Sequence, residues 1–104
     1  MVTYLHDEEE DIVSEVSERD GTAFTLDSAT VTITAHDDKT NLNRKDVAAS
    51  VSGSQVWFHE TFSLPNGYRE GECYTATFSC NCTRGTSSYV VKAVVDFDVR
   101  ATND

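Results

Sequence analysis

The side chains richest in chemistry are the three cysteines, Cys73, Cys80 and Cys82. A zinc site usually takes four Cys or His ligands, often from C-x2-C knuckles. Cys80 and Cys82 are one pleat apart, so on an extended backbone they share a face and Cys73 falls on the other. A fourth ligand would have to be His59, from a different strand. The simpler reading makes Cys80 and Cys82 core thiols beside Phe78, with no metal bound. An odd cysteine count also argues against a disulfide framework; a bond within or between chains would most readily use Cys73.

The acidic run Asp7-Glu8-Glu9-Glu10-Asp11 has the charge for Ca²⁺ or Mg²⁺ but lacks the alternating spacing and glycine of a calcium loop. Asp37-Asp38, with Asn41 and Asn43 nearby, reads as a polar turn. His6, His36 and His59 are scattered, and no G-x-S-x-G presents a nucleophile on a sharp turn beside a base. A glycine-rich phosphate loop is also missing from the sequence. The chain is therefore expected to be neither an enzyme nor a cofactor carrier.

These residues sit on a pattern of short strands. Glu8 to Glu18 has Ile12, Val13 and Val16 at helical spacing but is poor in helix formers, and reads as a first strand ending in the turn Arg19-Asp20-Gly21-Thr22. Ala29 to Ala35 alternates cleanly, with Ala29, Val31, Ile33 and Ala35 inward and Thr30, Thr32 and Thr34 outward. His36 to Lys45 is a polar loop, Val47 to Val51 a short strand, and Ser52-Gly53-Ser54 a turn. Along Gln55 to Leu64, Val56, Phe58 and Phe62 share a face, while Trp57 and His59 lie opposite. Glu60 falls on the Phe face, a break in the pattern.

Pro65-Asn66-Gly67 and Glu70-Gly71-Glu72 are bends. Tyr74, Ala76, Phe78, Cys80 and Cys82 then point inward, and Thr83-Arg84-Gly85-Thr86 closes a hairpin. In the last strand Tyr89, Val91, Ala93, Val95, Phe97 and Val99 point inward, against Lys92, Asp96, Asp98 and Arg100. Val90 and Val94 share that outward face. With Trp57 they are the candidate contact residues, since large apolar groups on a wet face mark an interface unless both faces are buried.

The pattern predicts an all-β domain, a two-sheet antiparallel sandwich of about six to eight short strands. An acidic N-terminal arm would occupy residues 1–10, the sandwich 11–100 and a tail 101–104. One core suits 104 residues. Eighteen acids against eight bases give a net charge of −10, which repels nucleic acid and anionic membranes alike. Few lysines and many Asp and Thr match chains working in very high salt, where a Debye length of about 3 Å screens self-repulsion; an ordinary acidic domain is the plainer alternative. The acidic N-terminus does not read as a secretory signal, and no apolar run is long enough to span a bilayer. The expectation is a protein used inside the cell or exported within an assembly.

The order of motifs carries a resemblance. Asp11-Ile12-Val13 leads to Arg19-Asp20-Gly21-Thr22-Ala23, then Asp27-Ser28-Ala29-Thr30-Val31-Thr32-Ile33; later, Gly67 to Gly71 precedes Cys73-Tyr74-Thr75-Ala76-Thr77-Phe78. Over roughly residues 10 to 100 this resembles small immunoglobulin-like β-sandwich virion proteins of tailed viruses. The chain departs from them where Glu72 and Cys73 separate Gly71 from Tyr74, and immunoglobulin Cys-Trp-Cys spacing is absent.

With the acidic composition, the resemblance implies a virus of a halophilic archaeon. It implies a non-enzymatic structural protein of the virion, assembled in the host cytoplasm. Such a protein docks in many copies on capsid, head–tail (neck) or tail proteins as a decoration, vertex or connector piece. It is expected to be a homo-oligomer without direct nucleic-acid or membrane contact. The alternatives are a cell-surface carbohydrate- or protein-binding module with a groove at Trp57, and a metal or redox sensor using Cys73, Cys80 and Cys82.

Overall fold

A computed structural model describes residues 2–17, 24–36 and 44–101 of the chain. The strands are β1 (Val2–Leu5), β2 (Glu9–Glu15), β3 (Thr25–Ala35), β4 (Val47–Ser52), β5 (Gln55–Thr61), β6 (Cys73–Arg84) and β7 (Ser87–Arg100), with one 3-10 turn at Leu64–Asn66. They form a seven-stranded mixed sheet in the order β1-β7-β6-β3-β4-β5-β2. The pairs are antiparallel except β1 with β7, which is parallel. The purely antiparallel expectation is thereby corrected. The cause is β1, which the sequence reading assigned to an arm over residues 1–10 and which lies in the sheet as Val2↔Phe97 through Leu5↔Arg100.

Two consecutive strands, β1 and β2, stand at opposite ends of this order. Laid flat, the six inter-strand gaps would separate them by about 29 Å. The chain from Leu5 to Glu9 reaches at most about 14 Å. The sheet must therefore curl until its edges nearly meet, and the result is almost a barrel. The turn that joins them is pinned on both sides. His6 N–H donates to Arg100 O at the end of β7, and Asp7 N–H to Phe62 O just beyond β5. Asp7 sits at φ 67, a left-handed conformation that Asp tolerates better than most residues. Across the sheet β4 bends too: its first half pairs with β3 (Val31↔Val47) and its second half with β5 (Val51↔Val56).

The hairpin from β6 to β7 closes through a two-residue loop, Gly85-Thr86, with Arg84 opposite Ser87. Gly85 at φ 61 supplies the positive φ that such a loop needs at its first position. Gly67, at φ 99, likewise ends the 3-10 turn, its N–H donating to Leu64 O.

The inward rows read from the sequence are the core. Val31, Ile33, Val56, Tyr74, Ala76, Phe78, Cys80 and Phe97 are wholly buried. At one end five rings interlock: Tyr4 stacks on Phe62 at 4.5 Å, Phe97 and Tyr68 pack edge-on against that pair, and Tyr74 stacks on Phe97 at 5.6 Å. Towards the Gly85 hairpin the cover thins: Tyr89, Val91, Ala93 and Val95 are only partly buried. The molecule measures 48 × 24 × 19 Å, so its length matches fourteen residues of extended β7 at about 3.4 Å each.

The break in the β5 pattern is real. Glu60 points into the core and is 2% exposed. A buried carboxylate requires partners. Arg44 binds it as a fork, Nε to Oε2 at 2.7 Å and Nη2 to Oε1 at 2.9 Å. The Tyr68 hydroxyl donates to Oε2 at 2.9 Å, and the Thr61 N–H to Oε1 at 3.1 Å. Burial, then the charge on Glu60, pushes the Tyr68 phenol far above its ordinary range, so it remains a donor.

Asp98 is also buried, against its assignment to the wet face, because β1 covers it. Thr3 Oγ1 donates to one carboxylate oxygen at 2.7 Å and Arg100 Nε to the other at 2.7 Å. Those hydrogen bonds hold its pKa below the usual carboxylate value.

Removing Arg44 leaves the Glu60 charge buried without its cation. Arg44→Ala is expected to cost about 3 kcal/mol, the low end for a broken buried pair because Arg44 is partly solvated. Tyr68→Phe, which deletes one hydrogen bond to a charged group, is expected to cost about 1.5 kcal/mol. Urea unfolding checks both; changes below about 0.5 kcal/mol, ordinary for a plain surface site, would show that Glu60 is not held this way.

Candidate functional site

The outer surface of the sheet holds the candidate residues in two separate places. Trp57 is half-buried on the outward face of β5, with Val13 of β2 on one side and Ser50 of β4 on the other. Val13 is 46% exposed, so Trp57 and Val13 make a small apolar pair on that face. Val90 and Val94, 56% and 57% exposed, lie on the outward face of β7 opposite Asn81 and Thr77 of β6. Three strands stand between β7 and β5 in the sheet order, so the fold does not bring Trp57 to Val90 and Val94.

The β7 site has a second property, absent from the sequence reading. β1 pairs with β7 only over Phe97 to Arg100. Among the described residues no strand pairs with the outer side of β7 from Ser87 to Asp96. The direction of its backbone groups follows from the flanking bonds. Val99 N–H donates to Glu72 O and Val99 O accepts from Gly71 N–H, so odd-numbered residues turn to the β6 side. Arg100 O accepts from His6 N–H, so even-numbered residues turn the other way. The β6–β7 register runs without a shift from Cys73↔Asp98 to Arg84↔Ser87. Hence the N–H and C=O groups of Ser88, Val90, Lys92, Val94 and Asp96 point away from β6 along an edge that no described strand bonds to, with β2 approaching part of β7 to within 8 Å across the seam. Such edges template further strand pairing and are normally blunted by charge, proline or a bulge. Here Lys92 is the sole charge between Ser87 and Val95.

Next to Trp57, His59 is clipped between two acids of the Asp7–Asp11 run. Nδ1 lies 2.8 Å from Asp11 Oδ1 and Nε2 3.0 Å from Glu9 Oε1. The hydrogen bond to Glu9, then that to Asp11, raises its pKa above the ordinary histidine value. The two acids approach opposite sides of the ring, so they share no point where an ion could sit with it. Among the described residues no group of three or more His, Cys, Asp or Glu is arranged to hold a metal. Asp37, Asp38, Asn41 and Asn43 lie outside the described residues.

None of the cysteines is in a disulfide. Cys80 and Cys82 are buried, with the Cys82 thiol directed at Cys80 O, while Cys73 is partly exposed. Burial raises the Cys80 pKa and disfavours the reactive thiolate. A cleft of about 360 Å³ lies where the sheet edges approach, lined by Thr3, Tyr4, Leu5, Glu8 and Glu10; Trp57 is not part of it. No helix in the described residues is long and apolar enough to cross a membrane.

Comparison with protein-family models, with curated proteins and with solved structures finds no match to this chain.

Two measurements probe this surface. His59 is expected to titrate above about 6.5 by NMR, and Glu9→Gln or Asp11→Asn should each bring it down. With the pKa raised in the folded state, the clip contributes fully below the unfolded pKa and is lost as pH rises through the folded one; a His59 titrating below 6.5 would refute it. Thiol titration of native protein should modify Cys73 and spare Cys80 and Cys82 until unfolding, and three fast thiols would show that the β6 face is open.

Proposed function

We propose that this chain is a non-enzymatic structural subunit that docks in multiple copies on neighbouring proteins of a larger assembly. The single observation behind this reading is the exposure of Val90 and Val94 beside an unpaired stretch of β7. A catalytic or sensing role would have no use for that pair, and exposing it to water is unfavourable unless a partner covers it.

We read the fold of this subunit as an immunoglobulin-like two-sheet sandwich. It is supported by the parallel pairing of the first strand with the last, and by β4, which pairs half with β3 and half with β5 as a strand does at a sandwich corner. Following the resemblance of the motifs, the assembly is the virion of a tailed virus of a halophilic archaeon, with the subunit on the capsid or at the head–tail junction. The net charge of −10 fits solution at molar salt and partners other than nucleic acid. The alternative of a ligand-binding module is less favoured, because the cleft at the sheet edges does not include Trp57, which lies between Val13 and Ser50 on the outer face.

Light scattering at about 2–3 M salt and again at low salt, where screening is much weaker, tests the reading. The expected result is a discrete oligomer at high salt that dissociates or unfolds at low salt, and a smaller mass at high salt for the Val90→Glu, Val94→Glu double variant. A monomer indifferent to salt overturns it.

A further inference from the structure

We infer that the open edge of β7 is a self-pairing site: two copies of the chain join antiparallel along Ser87 to Val95, about a two-fold axis, into one continuous sheet. The inference rests on the assembly reading above and specifies the surface, the partner and the register.

The edge is shaped for another copy of itself. At its C-terminal end the free stretch stops where β1 occupies the lane beside Phe97. At its N-terminal end it stops at the Gly85-Thr86 loop. A partner strand running antiparallel must therefore leave the lane where β1 begins. A second β7 does so, because its own hairpin loop falls there.

The two-fold axis perpendicular to the sheet keeps like faces together, so each residue pairs with one of the same parity. Centring the pair on Lys92 would set lysine against lysine, which like-charge repulsion disfavours. It would also drive Ser87 into β1. Centring on Val91 avoids both. Ser88 then faces Val94 of the other copy and Val90 faces Lys92. All four are residues whose N–H and C=O point to the edge, so the pairing supplies about eight backbone hydrogen bonds, two for each hydrogen-bonded pair.

The side chains fit on both faces. On the inward face Tyr89 lies opposite Ala93 and Val91 opposite its own counterpart, so the partly buried rows of the two copies run on into one another. On the outward face Lys92 stands opposite Val90 of the other copy, its ammonium turned back to donate to Ser79 Oγ of β6 at 3.2 Å, which leaves the valine facing an uncharged stem. Charge also selects this stretch. The chain carries −10, yet from Ser87 to Val95 it carries only the positive charge of Lys92. Two copies can thus approach along this line with the least repulsion, and salt that screens the rest should tighten the pair.

The test exploits the alternation of the edge. Val90→Pro deletes an N–H that points away from β6, leaving the β6–β7 ladder whole, and proline is tolerated on edge strands at such positions. By sedimentation at high salt the native chain should have twice its 11.5 kDa mass, and Val90→Pro that mass once, with an unchanged circular dichroism spectrum. Hydrogen exchange on the native protein gives an answer that needs no variant. On dilution into monomer the amides of Val90, Lys92 and Val94 should lose protection while those of Val91 and Ala93 keep it. An oligomer that persists in Val90→Pro, or whose Val90, Lys92 and Val94 amides exchange freely, overturns the edge pairing and leaves the assembly reading standing. A monomer at every salt concentration overturns both.

Discussion

The architecture turns on the three residues between Leu5 and Glu9. Because so short a segment must join the two ends of a seven-strand order, no flat arrangement satisfies the chain. The sheet has to roll, and once rolled it has one inside. The rest follows from that inside being apolar: the inward rows of β3, β6 and β7 meet the inward rows of β2 and β5, and β4 bends to carry the ladder from one half to the other. The His6–Asp7 turn fixes the closure, being bonded to the ends of β7 and β5 together.

The closure is uneven. At the end held by that turn the interior contains five interlocked rings and a buried carboxylate with a forked arginine and a tyrosine on it. At the hairpin end there is neither, and β7 runs past its cover with valines on both faces. A buried charge pair contributes little net stability compared with apolar packing, but it tolerates few arrangements. Glu60 can be satisfied only when Arg44, from the β3–β4 connection, and Tyr68, from the β5–β6 connection, arrive together. This ties two loops to one point of β5 and makes the upper end specific as well as packed.

The strands from β3 onward were legible because alternation is a local signal: each of Ala29, Val31, Ile33 and Ala35, and each of Tyr74, Ala76, Phe78, Cys80 and Cys82, is buried as its parity requires. Glu60 was visible as an anomaly on the Phe face, but its partners were not, since nothing in a polar loop marks Arg44 as an arginine that turns inward. β1 was hidden by its acidic neighbours. Val2-Thr3-Tyr4-Leu5 is too short to show a period, and its partner lies ninety-five residues away, as the Thr3–Asp98 bond shows. The exposure of Val90 and Val94 could be read from parity alone. The open edge beside them could not, because it depends on where β1 stops.

The pairing of the first strand with the last sets an order of events during synthesis. Val2 has no place to go until Phe97 exists, and closing a loop of that length is slow because its entropy must be met before any contact rewards it. The hairpin of β6 and β7, the most local of the long pairings, can form first and can dock on β3. Throughout that interval the whole outer side of β7 lacks a neighbour, and Tyr4 is missing from its ring cluster. β1, the earliest strand in the order, is thus the last to be placed, and the ring cluster is completed only when the sheet closes.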